Sequence, residues 1–229
     1  MWKRSRRALA ENLGSETKFR SKTIERPNGK RVDAAIRFAG KVIVVKVQLR
    51  TDIQLTPLEF AHAPAMCRWM EDLEVRCNIG LRSEPSLAAT HALIEKAKAD
   101  KDIRAFAIMC NDRHVGNVVL DQIDRHVSNA RLSIYVGESG QRGRGVGRTA
   151  VALGVRYAFT DLQLHKVWLT VHCHNTAAHR VYEQVGFRVE GILRDEFRLR
   201  GQLVDCSRMG ILAGEFECGR DLRFEEYRE

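Results

Sequence analysis

The stretch RLSIYVGESGQRGRGVGRTAVALGVRYAF, from Arg131 to Phe159, decides how this chain is read. Leu132, Ile134 and Val136 alternate as on a half-buried strand. Gly143, Gly145 and Gly147 then fall at every second position. After them Val146, Ala150, Leu153 and Tyr157 recur at i, i+4, i+7 and i+11, the apolar stripe of a helix. The loop therefore feeds straight into a helix N-terminus, where N–H groups without intrahelical partners and the positive end of the dipole favour an anion. Glycines let that backbone approach a phosphate without Cβ clashes. Arg142, Arg144 and Arg148 add positive charge at the same place.

Two common phosphate loops are excluded by spacing. A dinucleotide fingerprint needs G-x-G-x-x-G, but counting from Gly143 and Gly145 puts Arg148 in the last position. A P-loop needs Gly-Lys-Ser/Thr, and the chain has no such tripeptide. What stands here is Arg142-Gly143-Arg144-Gly145-Val146-Gly147, matching R/Q-x-x-G-x-G/A. It resembles the acetyl-CoA pyrophosphate loop of the GNAT superfamily of N-acetyltransferases; the alternative is a flexible loop-to-helix cap.

A second motif lies downstream: Asn175-Thr-Ala-Ala178-His-Arg-Val-Tyr182-Glu-Gln-Val-Gly186-Phe187. Asn175 suits an N-cap, Gly186 a C′ residue, and Val181 with Val185 forms an apolar pair at i, i+4. Asn175, Ala178 and Tyr182 share one helix face, with room at the alanine for something thin and a phenol beyond it. A core tyrosine beside a core alanine is the alternative. The segment resembles the superfamily's N-x-x-A-x-x-x-Y-x-x-x-G-F, and the resemblance covers roughly residues 47–212.

The resemblance implies an α/β domain with a mixed, mostly antiparallel central sheet flanked by helices. It implies that the strands around Ile134 and Trp168 splay apart and that the pantetheine arm of acetyl-CoA pairs with the backbone near Ile134 and Val136. The pyrophosphate would rest on residues 142–147: Arg142, Gly143, Arg144, Gly145, Val146 and Gly147. Asn175 would hydrogen-bond the cofactor arm, with Ala178 giving it room. Tyr182 would be the acid for the departing thiolate and Glu138 the base, with His172, His174, Glu74 or a water relay as other bases. The implied reaction is direct acetyl transfer from acetyl-CoA to a primary amine, of a polyamine, an aminosugar or a protein N-terminus. A non-catalytic acyl-CoA sensor is the rival reading.

Basic charge is confined to one end. Residues 1–50 hold 14 Lys/Arg against 4 Asp/Glu, and the remaining 179 hold 24 against 25. The expected organisation is a basic arm over 1–40 that ends in an extra strand, an acetyltransferase domain over 41–214, and a charged tail over 215–229. A solvated arm is the main reading, and weak contact with nucleic acid or anionic lipid a minor one. No apolar run suits a signal peptide or a membrane span, so the expectation is a cytoplasmic chain, monomeric or homodimeric. The six cysteines include no C-x-x-C pair and read as reduced, mostly buried thiols. His172-Cys173-His174 would put the cysteine on the opposite strand face from the histidines, with no fourth ligand, so no metal is expected.

Elsewhere, alternation predicts a hairpin over 31–50 turning at Ala39-Gly40, and the resemblance puts the first strand of the fold at about Val47–Arg50. Helices are expected over 58–69 and 86–99, the latter with Leu87, Leu93, Ile94 and Ala97 near one face. Strands are expected over 103–110, 115–122, 131–137 and 166–171, with a last hairpin around Arg200-Gly201. Trp69-Met-Glu71-Asp72-Leu-Glu74-Val75-Arg76 resembles the turn that walls the acceptor pocket in the spermidine, ribosomal-protein and aminosugar subgroup; a solvated acidic helix end is the alternative. The closing pattern Gly201–Asp205 and Met209–Leu212 tilts the acceptor slightly towards an aminosugar.

Overall fold

The computed structural model describes residues 49–79 and 84–216, except the side chains of Glu74, Cys77 and Asn78, together with four short strands nearer the N-terminus. Those four form two antiparallel pairs, Ile24–Glu25 with Arg31–Val32 and Ile36–Phe38 with Lys41–Ile43. In the second pair three residues of each strand pair among the described residues, Phe38 opposite Lys41; the expected turn at Ala39-Gly40 and the alternation at Val45 and Val47 lie outside the described residues. Two compact units divide between Gln48 and Leu49.

The second unit is built on a seven-stranded sheet. Its strands are β1 (Ile53–Pro57), β2 (Arg104–Cys110), β3 (Arg113–Asp124), β4 (Asn129–Val136), β5 (Lys166–His172), β6 (Arg188–Leu199) and β7 (Gln202–Leu212). Their order across the sheet is β6-β7-β5-β4-β3-β2-β1, with every neighbouring pair antiparallel except β4 and β5. This is the mixed, mostly antiparallel sheet expected from the sequence. Of the first strand expected at 47–50, Val47 and Gln48 lie outside the described residues, and Leu49 and Arg50 stand in no strand. Arg50 stands outside any strand because its N–H donates to the Thr149 hydroxyl at 3.1 Å, and pairing with β2 begins at Ile53. Pro57, lacking a donor, closes this edge strand where no further strand needs one.

Helices cover both faces. On one, α4 (Val146–Thr160) and α5 (Thr176–Val185) pack on Leu120, Leu132, Leu169 and Ile211. The buried part of α4 is wider than the expected stripe, taking in Val151, Ala152, Val155 and Ala158 as well. Each fully buried valine or leucine contributes about 1.5–3 kcal/mol. On the other face α1 (Ala63–Met70) and α3 (Leu87–Ala99) enclose a smaller cluster of Leu58, Ala63, Met66, Trp69, Ile94 and Ala107. A single helix over 58–69 is replaced by a 3-10 turn at Phe60–His62 and then α1. Pro64 stands in the first turn of α1, where its missing N–H costs nothing. In α3 only Ile94 is buried; Leu87 and Leu93 are exposed, so the shared apolar face expected there is absent. A short α2 (Leu73–Ile79) follows α1. Among the described residues no helix is long and apolar enough to cross a membrane.

Candidate active site

The parallel pairing of β4 with β5 is brief. It joins Asn129 to Lys166, Ala130 to Val167 and Arg131 to Trp168, and stops there. The rest of β4 remains paired to β3 on its other side. That ladder fixes which backbone groups face the gap. Gly137 N donates to Val115 O across the Gly116–Val136 pair, which is therefore a non-hydrogen-bonded pair. Such a residue turns its own N–H and C=O away from its partner. By the two-residue repeat Ile134 does the same. Both residues thus offer a donor and an acceptor to the opening between β4 and β5, as a further strand would require.

At the end of β4 the chain makes a 3-10 turn, Ser139–Gln141, and enters the glycine loop. Gly143 and Gly145 have φ of 71° and 80°, left-handed values that a side chain disfavours. Gly145 is the N-cap of α4 and makes no side-chain cap. A Cβ on Gly143 would meet nothing within 4 Å, and one on Gly145 only arginine side-chain ends at 3.9 Å. Among the described residues the loop is therefore open around Gly143 and Gly145, next to the first N–H groups of α4. Arg142 differs from its neighbours: its own N–H already donates to Ser139 O. Arg50 supports the loop from below, with Nη1 donating to Arg144 O at 3.1 Å. Asp52 grips the same guanidinium at 2.5 and 2.9 Å, which holds its carboxyl down to about 2.

On α5, Asn175 Oδ1 accepts from Ala178 N at 3.1 Å and Gly186 closes the helix at φ 111°, both as the sequence implied. The cap occupies one lone pair of the Asn175 oxygen, and its amide NH2 is the donor it can offer a ligand. Ala178 is half-buried and Tyr182 is buried, in the same cluster that Ile134, Val136 and Val146 join. The Tyr182 ring packs on Phe187 at 5.9 Å. Burial alone pushes its hydroxyl up to about 12.

The far ends of β4 and β5 are the two lips of the gap. Glu138 follows β4, with its carboxylate 3.7 Å from the Arg68 guanidinium of α1. His172 ends β5 and is buried against Phe197, its ring 4.5 Å away, instead of solvated as strand-end histidines often are. Burial first and His174 second hold it below its usual pKa. His174 is exposed and stacks on His172 at 5.4 Å. Among the described cysteines Cys110 and Cys206 are buried, Cys67 is half-buried and Cys173 is exposed. Trp69 lies flat on Gly137 and edge-on to Tyr135 at 6.1 Å.

The fold thus brings Ile134, Val136, Glu138 and the loop from Arg142 to Gly147 into one continuous segment, with Asn175, Ala178 and Tyr182 on the adjoining helix. Sequence reasoning missed Arg50, which lies 94 residues from Arg144 and carries no local pattern. It missed His114 and Asn117 as well. His114 Nε2 meets Asn117 Oδ1 at 2.8 Å, and Asn117 Nδ2 donates to the Tyr135 hydroxyl at 2.6 Å, a polar chain beneath α1. The polar residues at 114 and 117 of β3 were the available signal.

Comparison with known proteins follows the same lines. Residues 52–188 match the family described as Acetyltransferase (GNAT) domain. Spermidine N(1)-acetyltransferase of Escherichia coli (strain K12) is 33% identical over 124 residues, 54% of this chain and 66% of that protein. The Vibrio cholerae enzyme of the same name is 36% identical over 102 residues, 44% of this chain and 58% of that one. The chain therefore spans somewhat under two thirds of the length of these curated relatives. A crystal structure of spermidine N-acetyltransferase from Vibrio cholerae in complex with CoA and spermine superposes with a TM-score of 0.68 at 27% identity, covering 72% of this chain and 98% of that one. A dodecameric structure of the Vibrio cholerae enzyme gives a TM-score of 0.62 at 27% identity, covering 71% and 95%. With its family match running over more than half its length and the expected sheet beneath it, the chain belongs to the GNAT acetyltransferase family.

Proposed function

We propose that the protein moves the acetyl group of acetyl-CoA directly to a primary amine, with polyamines as the acceptor class. The observation that carries this reading is the continuity of a β4 edge that pairs with no strand at Ile134 and Val136 among the described residues with an open glycine loop at a helix N-terminus. An extended amide-bearing arm ending in a pyrophosphate suits both features at once. The relatives' names favour a polyamine over the aminosugar suggested by the closing pattern.

Acetyl-CoA supplies a thioester whose carbonyl carbon an amine can attack. The residues of the chain have three tasks around it. N–H groups on the β4 edge hydrogen-bond the carbonyl oxygen and stabilise the charge that develops there. Tyr182 donates to the sulfur. With its hydroxyl near 12 and a thiol ordinarily near ~8.5, complete proton transfer costs about 5 kcal/mol. Tyr182 therefore gives up its proton only as another reaches it, and the proton lost by the amine ends on the sulfur.

A polyamine amine near ~10.4 costs roughly 4–5 kcal/mol to deprotonate at neutral pH, so a base and anionic walls both matter. Glu138 and His172 occupy the two lips from which a base would act. Glu71 and Asp72 are exposed at the α1–α2 junction beside the Glu138 lip and supply negative charge. Thiol release from acetyl-CoA across spermidine, an aminosugar nucleotide and an N-terminal peptide tests the reading. Turnover highest with spermidine is expected. Release with none of them would favour the acyl-CoA sensor, and release with the aminosugar alone would reassign the acceptor.

A further inference from the structure

We propose that Arg142 is a positioning residue that ties the acceptor wall to the cofactor edge, and that the two substrates loosen this tie for one another. The inference rests on the reading that acetyl-CoA pairs with β4. Val136 turns its carbonyl to the gap, and Arg142 Nε donates to that oxygen at 3.0 Å. Nη2 of the same side chain donates to Gly137 O at 3.3 Å. One of the two carbonyls on the open edge is thus already covered, by a side chain standing where a ligand strand would pair.

The same Nη2 lies 3.7 Å from Asp72 Oδ2, at the turn between α1 and α2. Arg68 reaches the other way, from α1 to Glu138 just past β4, also at 3.7 Å. Two arginine–carboxylate ties therefore cross one seam, between the helices that wall the acceptor and the strand end that would hold the thioester. Both are long and partly exposed, Arg142 and Asp72 at 35% and 45%, which makes them exchangeable.

Pairing of the cofactor with Val136 displaces the Arg142 guanidinium, and its contact with Asp72 goes with it. Arg142 directly precedes Gly143, so the displaced guanidinium remains at the start of the phosphate loop. Asp72 then has one arginine fewer and holds a cationic amine better. Linkage makes the effect reciprocal: an amine that takes Asp72 releases Arg142 and strengthens cofactor binding by the same factor. A partly exposed pair of this kind is worth at most about a fivefold change in an equilibrium constant.

Isothermal titration of the full chain with CoA, which cannot react, tests the coupling. Asp72→Asn should bind CoA about two- to fivefold more tightly than the wild type. Saturating spermidine should tighten CoA binding to the wild type by a similar factor and leave Asp72→Asn unchanged. Glu84→Gln removes a carboxylate that pairs with Arg76 instead and should leave CoA affinity unaltered. Equal tightening in Glu84→Gln would reduce the effect to general electrostatics and overturn the proposal, as would unaltered or weaker binding in Asp72→Asn. Wild-type protein that binds no CoA would instead overturn the acetyltransferase reading beneath it.

Discussion

Gly137 lies directly against the indole of Trp69, so close that a Cβ on the glycine would fall well inside 3.0 Å of three ring carbons. This contact sets α1 against the end of β4 and so defines the acceptor side of the gap. Gly137→Ala must push Trp69 aside. We expect a stability loss of about 1–3 kcal/mol, the usual range for overpacking, read by denaturant melting. Unchanged stability would show that α1 is free to shift and does not fix the wall.

Tyr182→Phe separates a chemical role from a packing one. The ring and its contact with Phe187 remain, and only the hydroxyl goes. If Tyr182 serves the departing sulfur, kcat should fall by about 10²–10⁴-fold with little change in acetyl-CoA affinity. The deficit should shrink from pH 7 to 9.5, because above roughly 8.5 the thiolate leaves without help. With its hydroxyl near 12, Tyr182 itself stays protonated over that range. Full activity at pH 7 would remove it from the mechanism.

Three histidines make stability depend on mild acid. Burial is the main cause holding His62, His114 and His172 below their usual pKa. Glu59 opposes the shift at His62; at His114 hydrogen bonds with Asn117 and Gly116 oppose it, and the nearby His62 and Arg68 add to it. The unfolded chain takes up protons near ~6.5 and the folded one resists them. Stability from this source is therefore complete above that value and is lost as pH falls towards the lower folded values. The Tm should drop between pH 7.5 and 5.5. Asp52, held near 2, contributes no change in that window. A flat Tm would mean that the rings are protonated without cost.

The parts legible in the sequence were those whose cause is local. Alternation at Leu132, Ile134 and Val136 gave both the strand and the residues that face the gap, because side-chain and backbone directions share a two-residue repeat. Asn175 and Gly186 marked α5 because capping is decided within one turn. What escaped was set by distant partners. Arg50 left the expected first strand for Thr149 and the loop, 99 and 94 residues away. Leu87 and Leu93 matched a helical stripe, yet only Ile94 meets the sheet. The grip of Arg142 on Val136 and Asp72 joins a loop to a strand and a helix turn, and no spacing announces it.

The glycine loop carries the central claim, and acetyl-CoA binding tests it most directly. At ~100 times its Kd acetyl-CoA should stabilise the wild-type fold by about 2.7 kcal/mol, and NADH or ATP by much less. Gly145→Asp puts a carboxylate at a left-handed N-cap whose surroundings are open, where phosphate oxygens would lie. The account predicts that this variant keeps its fold and loses the gain from acetyl-CoA. An equal shift with NADH, or an undiminished acetyl-CoA shift in Gly145→Asp, would contradict it.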